Sequence, residues 1–138
     1  MHYYQHLKSR ESGPQPNCVY LLSAKSYGHS GFFKVGVTSN IKDRFNQIKR
    51  NVPFEMAVAV IVGDKNPLQL EADFLEKYKY IGIRGEWFYV QPSENIDPTS
   101  CSFREYMRDF HNQSSRLEKE MTESLISMSS EGKIDALL

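Results

Sequence analysis

Seven consecutive residues, Met56-Ala-Val-Ala-Val-Ile-Val62, form the most apolar and most β-branched run in the chain, and they limit its fold more than any other segment. Valine and isoleucine suit a pleated surface, and an uninterrupted apolar run needs cover on both faces, so the run reads as a central strand ending at Gly63. The rest of the chain must supply its neighbours. Cys18-Val-Tyr-Leu-Leu22 reads as a second buried strand, Ser26 to Gly31 as a turn or loop, and Phe32-Phe-Lys-Val-Gly-Val37 as the antiparallel partner in a hairpin.

Two helices are expected to cover this sheet. Ser39 or Asn40 can cap the first, and Ile41, Phe45 and Ile48 recur at the i, i+4, i+7 spacing of one buried face from Asn40 to Asn51. Arg44 borders that face. Asn66-Pro67 supplies a cap followed by proline at the first helical position, predicting a second helix to about Tyr80. On it Glu71 shares one side with Phe74, Leu75 and Tyr78, opposite the exposed Glu76 and Lys77. Gly82 to Gly85 break the pattern, and Glu86-Trp-Phe-Tyr-Val90 gives a final short strand.

The flanks differ in character. Residues 1–16 are polar and read as an arm, the domain proper spans 17–92, and a separate amphipathic helix is expected over 99–128, with 129–138 frayed. Ser102-Phe-Arg-Glu105 has capping-box spacing, and Phe103, Met107, Phe110, Leu117 and Met121 follow a helical stripe interrupted at Ser114. That stripe can pack on its own domain, or join a second copy in a homodimer.

With 138 residues and a hydrophobic fraction of 40%, one compact domain fits and a second full domain does not. No apolar run approaches the roughly 18–20 residues that span a bilayer, and Met1-His-Tyr-Tyr-Gln-His6 lacks the apolar core of a secretory signal. A cytoplasmic protein without membrane contact is the expectation. Cys18 and Cys101 are too few for a disulfide framework or a thiolate zinc site.

Seventeen basic residues balance seventeen acidic ones, which argues mildly against nucleic acid as a partner. The distribution is uneven, however. From Lys25 to Arg50, Lys25, Lys34, Lys42, Arg44, Lys49 and Arg50 stand against Asp43 alone, whereas five acids and Lys65 occupy the stretch through Glu76. One end of the domain is then locally basic, with Lys42, Lys49 and Arg50 as candidate phosphate contacts.

Burying a carboxylate costs several kcal/mol unless a metal or cation offsets it, which makes Glu71 a better functional candidate than an acid on the solvent face. A salt bridge or helix-dipole contact without catalytic part explains it equally well from the pattern alone. Arg44 suits a phosphate oxygen through its fork of donors, or pairs with Asp43 or Glu55. Tyr20 is by default a core aromatic, and only the company of Arg44 and Glu71 promotes it to a proton acceptor. His29, in the hairpin loop, either assists at this site or is solvated. There is no Gly-rich phosphate loop, no Gly-x-Ser-x-Gly elbow, and no histidine pair at metal-ligand spacing.

Taken in order, Val19-Tyr20-Leu21, Lys34-Val35-Gly36, Arg44 eight residues beyond Gly36, Glu71, and Gly85-Glu86-Trp87-Phe88 resemble the GIY-YIG nuclease superfamily, in its phage-type branch. The likeness covers about half the chain, Cys18 to Val90. It implies a small α+β domain with a central, mainly antiparallel three-stranded sheet flanked by helices, here followed by the C-terminal helix. It further implies a metal-dependent DNA endonuclease with one Mg²⁺ or Mn²⁺ on Glu71, Tyr20 taking a proton from the attacking water, and Arg44 stabilising phosphoryl charge. Lys34 stands where the family's second tyrosine stands, assisting the water, the phosphate or the Tyr20 phenol. Gly36, Glu86 and Trp87 shape or orient the site.

Two other readings compete. A non-catalytic module on the same fold would hold DNA or a protein through the basic face and be indifferent to metal. An interaction protein would work through the amphipathic tail instead. RNA in place of DNA is compatible with each of the nucleic-acid readings.

Overall fold

The structure, a computed structural model, describes residues 15–25, 31–90 and 102–135. Its centre is one antiparallel sheet with strand order β4-β5-β2-β1-β3-β6. The strands are β1 (Cys18–Ala24), β2 (Phe32–Thr38), β3 (Met56–Gly63), β4 (Ile83–Arg84), β5 (Trp87–Tyr89) and β6 (Gly132–Lys133). The helices are α1 (Ile41–Asn51), α2 (Pro67–Lys77) and α3 (Phe103–Met128). The α+β class fits, but the sheet has six strands where three were expected. β4 and β6 are two residues each, too short to carry a period in the sequence.

Alternation along the strands separates two cores. Val19 and Leu21 of β1, with Phe33 and Val35 of β2, pack on Leu70 and Phe74 of α2 and on Met121 and Leu125 of α3. Tyr20 and Leu22 face the other way, onto Ile48, Ile41 and Phe45 of α1. One sheet face therefore belongs to α1 and the other to α2 and α3. β3 carries a bulge, since Leu21 pairs with Val60 and Leu22 with Val58, leaving Ala59 without a partner. The bulge lets Val58 join the α1 side while Ala59 and Val60 join the other.

The caps are those the sequence predicts. Asn40 Oδ1 accepts from Asp43 N at 3.2 Å, Asn66 Oδ1 from Gln69 N at 3.4 Å, and Ser102 Oγ from Glu105 N at 3.1 Å. α2 stops at Lys77 rather than Tyr80, and a 3₁₀ turn over Lys79–Ile81 leads to Gly82, whose φ of 115° suits glycine.

Residues 129–135, expected as a frayed end, instead return to the sheet. Asp64 accepts Ser130 N–H at 2.6 Å, Lys65 N–H reaches Ser130 Oγ at 2.9 Å, and Ile134 N–H reaches Ile61 O at 2.8 Å. Burial alone would push the Asp64 carboxyl up, but the backbone N–H groups of Ser130 and Asn66 hold it below the usual carboxylate range. Residues 136–138, like the arm through residue 14 and the start of the expected tail helix at 99–101, lie outside the described residues. Among the described residues no helix is long and apolar enough to cross a membrane.

Candidate functional site

In the β1–β2 ladder Tyr20 stands directly opposite Gly36. Gly36 is buried without a positive φ, so its small size rather than backbone freedom is what the position uses. A Cβ built there would overlap Tyr20 Oη and Cζ and come within 3.0 Å of Cε1. The phenol thus lies across β2 on the α1 side of the sheet, where α1 brings Arg44 to meet it. Arg44 Nε donates to Tyr20 Oη at 3.3 Å, and Nη1 reaches Gln47 Oε1 at 3.4 Å.

Lys34 is two residues before Gly36 and points to the same face, an ammonium inside a strand. Its Nζ donates to Glu86 Oε2 at 3.0 Å and lies 5.1 Å from the centre of the Trp87 ring. β5 positions both partners: Lys34 pairs with Trp87 in the ladder, and Val35 N donates to Glu86 O at 3.1 Å. Cation, carboxylate and ring together make it tolerable for Lys34 to be 8% exposed.

Glu71 enters from α2, whose neighbouring Leu70 and Phe74 anchor it in the opposite core. The residue is buried, and its Oε2 has no hydrogen-bond partner. Burial, reinforced by the charge of Glu86 and only partly offset by Lys34 and Arg44, pushes its pKa up to about 7. Tyr20 is also pushed up, first by burial; the hydrogen bond and charge of Arg44 oppose this, while Glu86 and Glu71 add to it. Five of the residues singled out from the sequence therefore act on one another: Tyr20, Lys34, Arg44, Glu71 and Glu86. In the metal-free site burial and the charges of two carboxylates outweigh the guanidinium, so the phenol keeps its proton.

A cleft of about 340 Å³ is lined by Lys34 and Arg44 of this cluster together with Gln47, Ile48, Asn51, Val52 and Trp87; its lining does not include Tyr20, Glu71 or Glu86. Lys42, Lys49 and Arg50 are exposed on α1. Lys49 Nζ stands 5.1 Å from the Phe45 ring centre, and Arg50 Nε donates to Asn46 O at 3.2 Å. His29 lies outside the described residues. Gln47, Asn51 and Val52 were missed from sequence, although Gln47 and Asn51 follow Arg44 at the i+3 and i+7 spacing of one helix face.

The orphaned carboxylate oxygen of Glu71 fits a hard divalent cation, since it is a buried oxygen donor without a hydrogen-bond partner and a bound cation would offset the cost of ionising it there. Among the described residues no three His, Cys, Asp or Glu side chains gather. An ion held here would take most of its ligands from water and phosphate, as Mg²⁺ commonly does.

In comparison with known proteins, residues 17–131 match the T5orf172 domain. The matched region takes in α3 as well as strands β1 to β5. No curated protein and no solved structure matches.

Proposed function

The chain belongs to the T5orf172 domain family, and on that premise we propose that it is a metal-dependent DNA endonuclease of the GIY-YIG type, hydrolysing phosphodiester bonds in the cleft between α1 and β5. One observation carries this reading: a buried carboxylate with an orphaned oxygen, Glu71, is coupled electrostatically to a phenol, a guanidinium and an ammonium. A purely structural acid would have been given a hydrogen-bond donor.

Arg44 binds the phosphoryl oxygens and stabilises the charge that develops on them. Tyr20 keeps its proton in the resting site and presents Oη beside the guanidinium, so that water and phosphate are oriented by the same pair of side chains. Lys34 adds positive charge to the cleft and holds Glu86 through their ion pair. Lys42, Lys49 and Arg50 contact phosphates away from the scissile bond. A divalent cation on Glu71, Mg²⁺ or Mn²⁺, would supply Lewis-acid activation of the phosphate and offset the part of the Tyr20 pKa rise that comes, after burial, from the Glu71 charge.

The substrate is DNA and the setting is the cytoplasm. A homodimer through α3 would use its N-terminal half, where Phe103 is 78% exposed, because Met121 and Leu125 are consumed in the chain's own core. A second reading, binding without cutting, is favoured by the commitment of Lys34 to Glu86 at 3.0 Å, which leaves the ammonium as a charge in the wall of the cleft.

Incubation with supercoiled plasmid and Mg²⁺ or Mn²⁺, beside Glu71→Ala and an EDTA control, separates these readings. Metal-dependent nicking that Glu71→Ala lacks is the expected result. Retention of plasmid in a gel shift without cleavage by any preparation would replace the nuclease with the binding module.

A further inference from the structure

Beside the cationic cleft lies a second groove of different chemistry. Phe32, Val52, Phe54, Trp87 and Tyr89, all half-buried, line a space of about 370 Å³, at the lower end of the range for small-molecule clefts. The Phe32 and Phe54 ring centres are 5.5 Å apart at 31°, and Phe54 meets Trp87 edge-on at 6.2 Å. Trp87 and Val52 line both the groove and the cleft, so the two are continuous.

We infer that this groove receives one nucleobase of the bound strand, unstacked from its neighbours, so that the preferred substrate carries an unpaired nucleotide next to the scissile phosphate. This rests on the reading of the cleft as a phosphate site. The register sets the spacing. Phe32 and Lys34 lie on one face of β2 about 7 Å apart, with Tyr89 and Trp87 as their cross-strand partners. That spacing sets a cation and an aromatic ring at neighbouring positions along one face, the order in which a nucleotide presents its phosphate and its base. The chemistry agrees, since cations belong on the phosphate side and aromatic faces on the base side. A base inside a duplex already has two stacking partners and gains little from a third surface, whereas an unpaired base gains the full contact.

The test needs binding only, in EDTA, so that cleavage plays no part. Trp87 is the single tryptophan of the chain and lines both groove and cleft, so its fluorescence is read as the difference between unpaired and fully paired DNA, and Phe54→Ala should remove that difference. A single-stranded oligonucleotide should quench it more strongly than a blunt, fully paired duplex does. In anisotropy titrations an oligonucleotide duplex with one unpaired nucleotide should bind about tenfold more tightly than the paired duplex, the worth of one stacked base. Phe54→Ala should lose that advantage and leave paired-duplex affinity within twofold, while Phe54→Tyr, which keeps the ring, should retain it. Equal affinity for paired and unpaired DNA with no difference at Trp87 would overturn the inference and leave the nuclease reading standing. Quenching by unpaired DNA in a protein that nicks no plasmid would do the reverse, and an apolar peptide or dye that quenches Trp87 where no DNA does would assign the groove to another occupant.

Discussion

The ring of Tyr20 lies across Gly36, so close that a methyl group on the glycine would overlap the phenolic oxygen and Cζ. Gly36 is therefore the seat of the tyrosine, and Gly36→Ala must displace the phenol from the Arg44 Nε that meets it at 3.3 Å. Overpacking of this kind costs about 1–3 kcal/mol. The variant should melt at a lower temperature and lose plasmid nicking out of proportion to its folded fraction. Wild-type nicking in Gly36→Ala would detach the Tyr20–Arg44 contact from activity.

Glu71 makes the metal-free protein sensitive to pH in a defined direction. Its pKa is about 7 in the folded state against 4.5 for an ordinary glutamate, so between those values the folded chain holds a proton that the unfolded chain has released. Stability should fall as pH rises from 4.5 to 7 and level off above, by roughly 3 kcal/mol in all. Glu71→Gln should lack this slope and exceed the wild type at pH 8. Urea titrations in EDTA across that range measure both.

A divalent cation should reverse that penalty. At pH 8, Mg²⁺ or Mn²⁺ at 100 times its dissociation constant should raise wild-type stability by about 2.7 kcal/mol and leave Glu71→Gln unchanged. Equal responses of the two proteins to metal would place the ion elsewhere or nowhere. Because the charge of Glu86 adds to the effect of burial in raising the Glu71 pKa, Glu86→Gln should also shift the pH midpoint of stability downward.

Much of this site is legible along the chain, and the illegible part has a physical reason. Helix periodicity and the Asn66-Pro67 cap suffice to put Glu71 on a buried face, because both signals are local. The contact of Tyr20 with Gly36 depends on cross-strand register, and the pairing of Lys34 with Glu86 joins residues far apart in sequence, so neither is visible in spacing. The aromatic groove draws Phe32 from β2, Phe54 from the α1–β3 connection, and Trp87 and Tyr89 from β5; no one segment carries its pattern. The return of the C-terminal end to β3 escapes for the same reason, since it turns on an aspartate meeting a serine N–H from the far end of the chain.

That return makes its own prediction. Asp64 accepts from Ser130 N at 2.6 Å and Asn66 N at 2.9 Å, and so ties the end of α3 to the start of α2. Asp64→Ala leaves both N–H groups to water and should cost about 0.5–1.5 kcal/mol, the net worth of a hydrogen bond at an exposed site. Hydrogen exchange should then accelerate at Ser130 and Ile134 while the β1–β2 ladder stays protected. Because the carboxyl of Asp64 titrates below the usual range when folded, its contribution is present at neutral pH and lost as pH falls through that depressed value.

Tyr20 supplies the sharpest test of mechanism. Burial and the charges of Glu86 and Glu71 keep its proton in place, so a phenolate is not available near neutral pH in the metal-free site. If the phenol only orients water and phosphate, Tyr20→Phe should lower kcat while the pH dependence of cleavage keeps its shape, because no proton then passes through Tyr20 during turnover. If the phenol accepts the proton, the wild-type rate should climb steadily through pH 9 and Tyr20→Phe should flatten the profile. The structure favours the first outcome: Oη already accepts from Arg44, an arrangement that aligns the hydroxyl with the guanidinium but is too weak to ionise it against two carboxylates. Cleavage by both proteins across pH 6–9 at saturating metal distinguishes them.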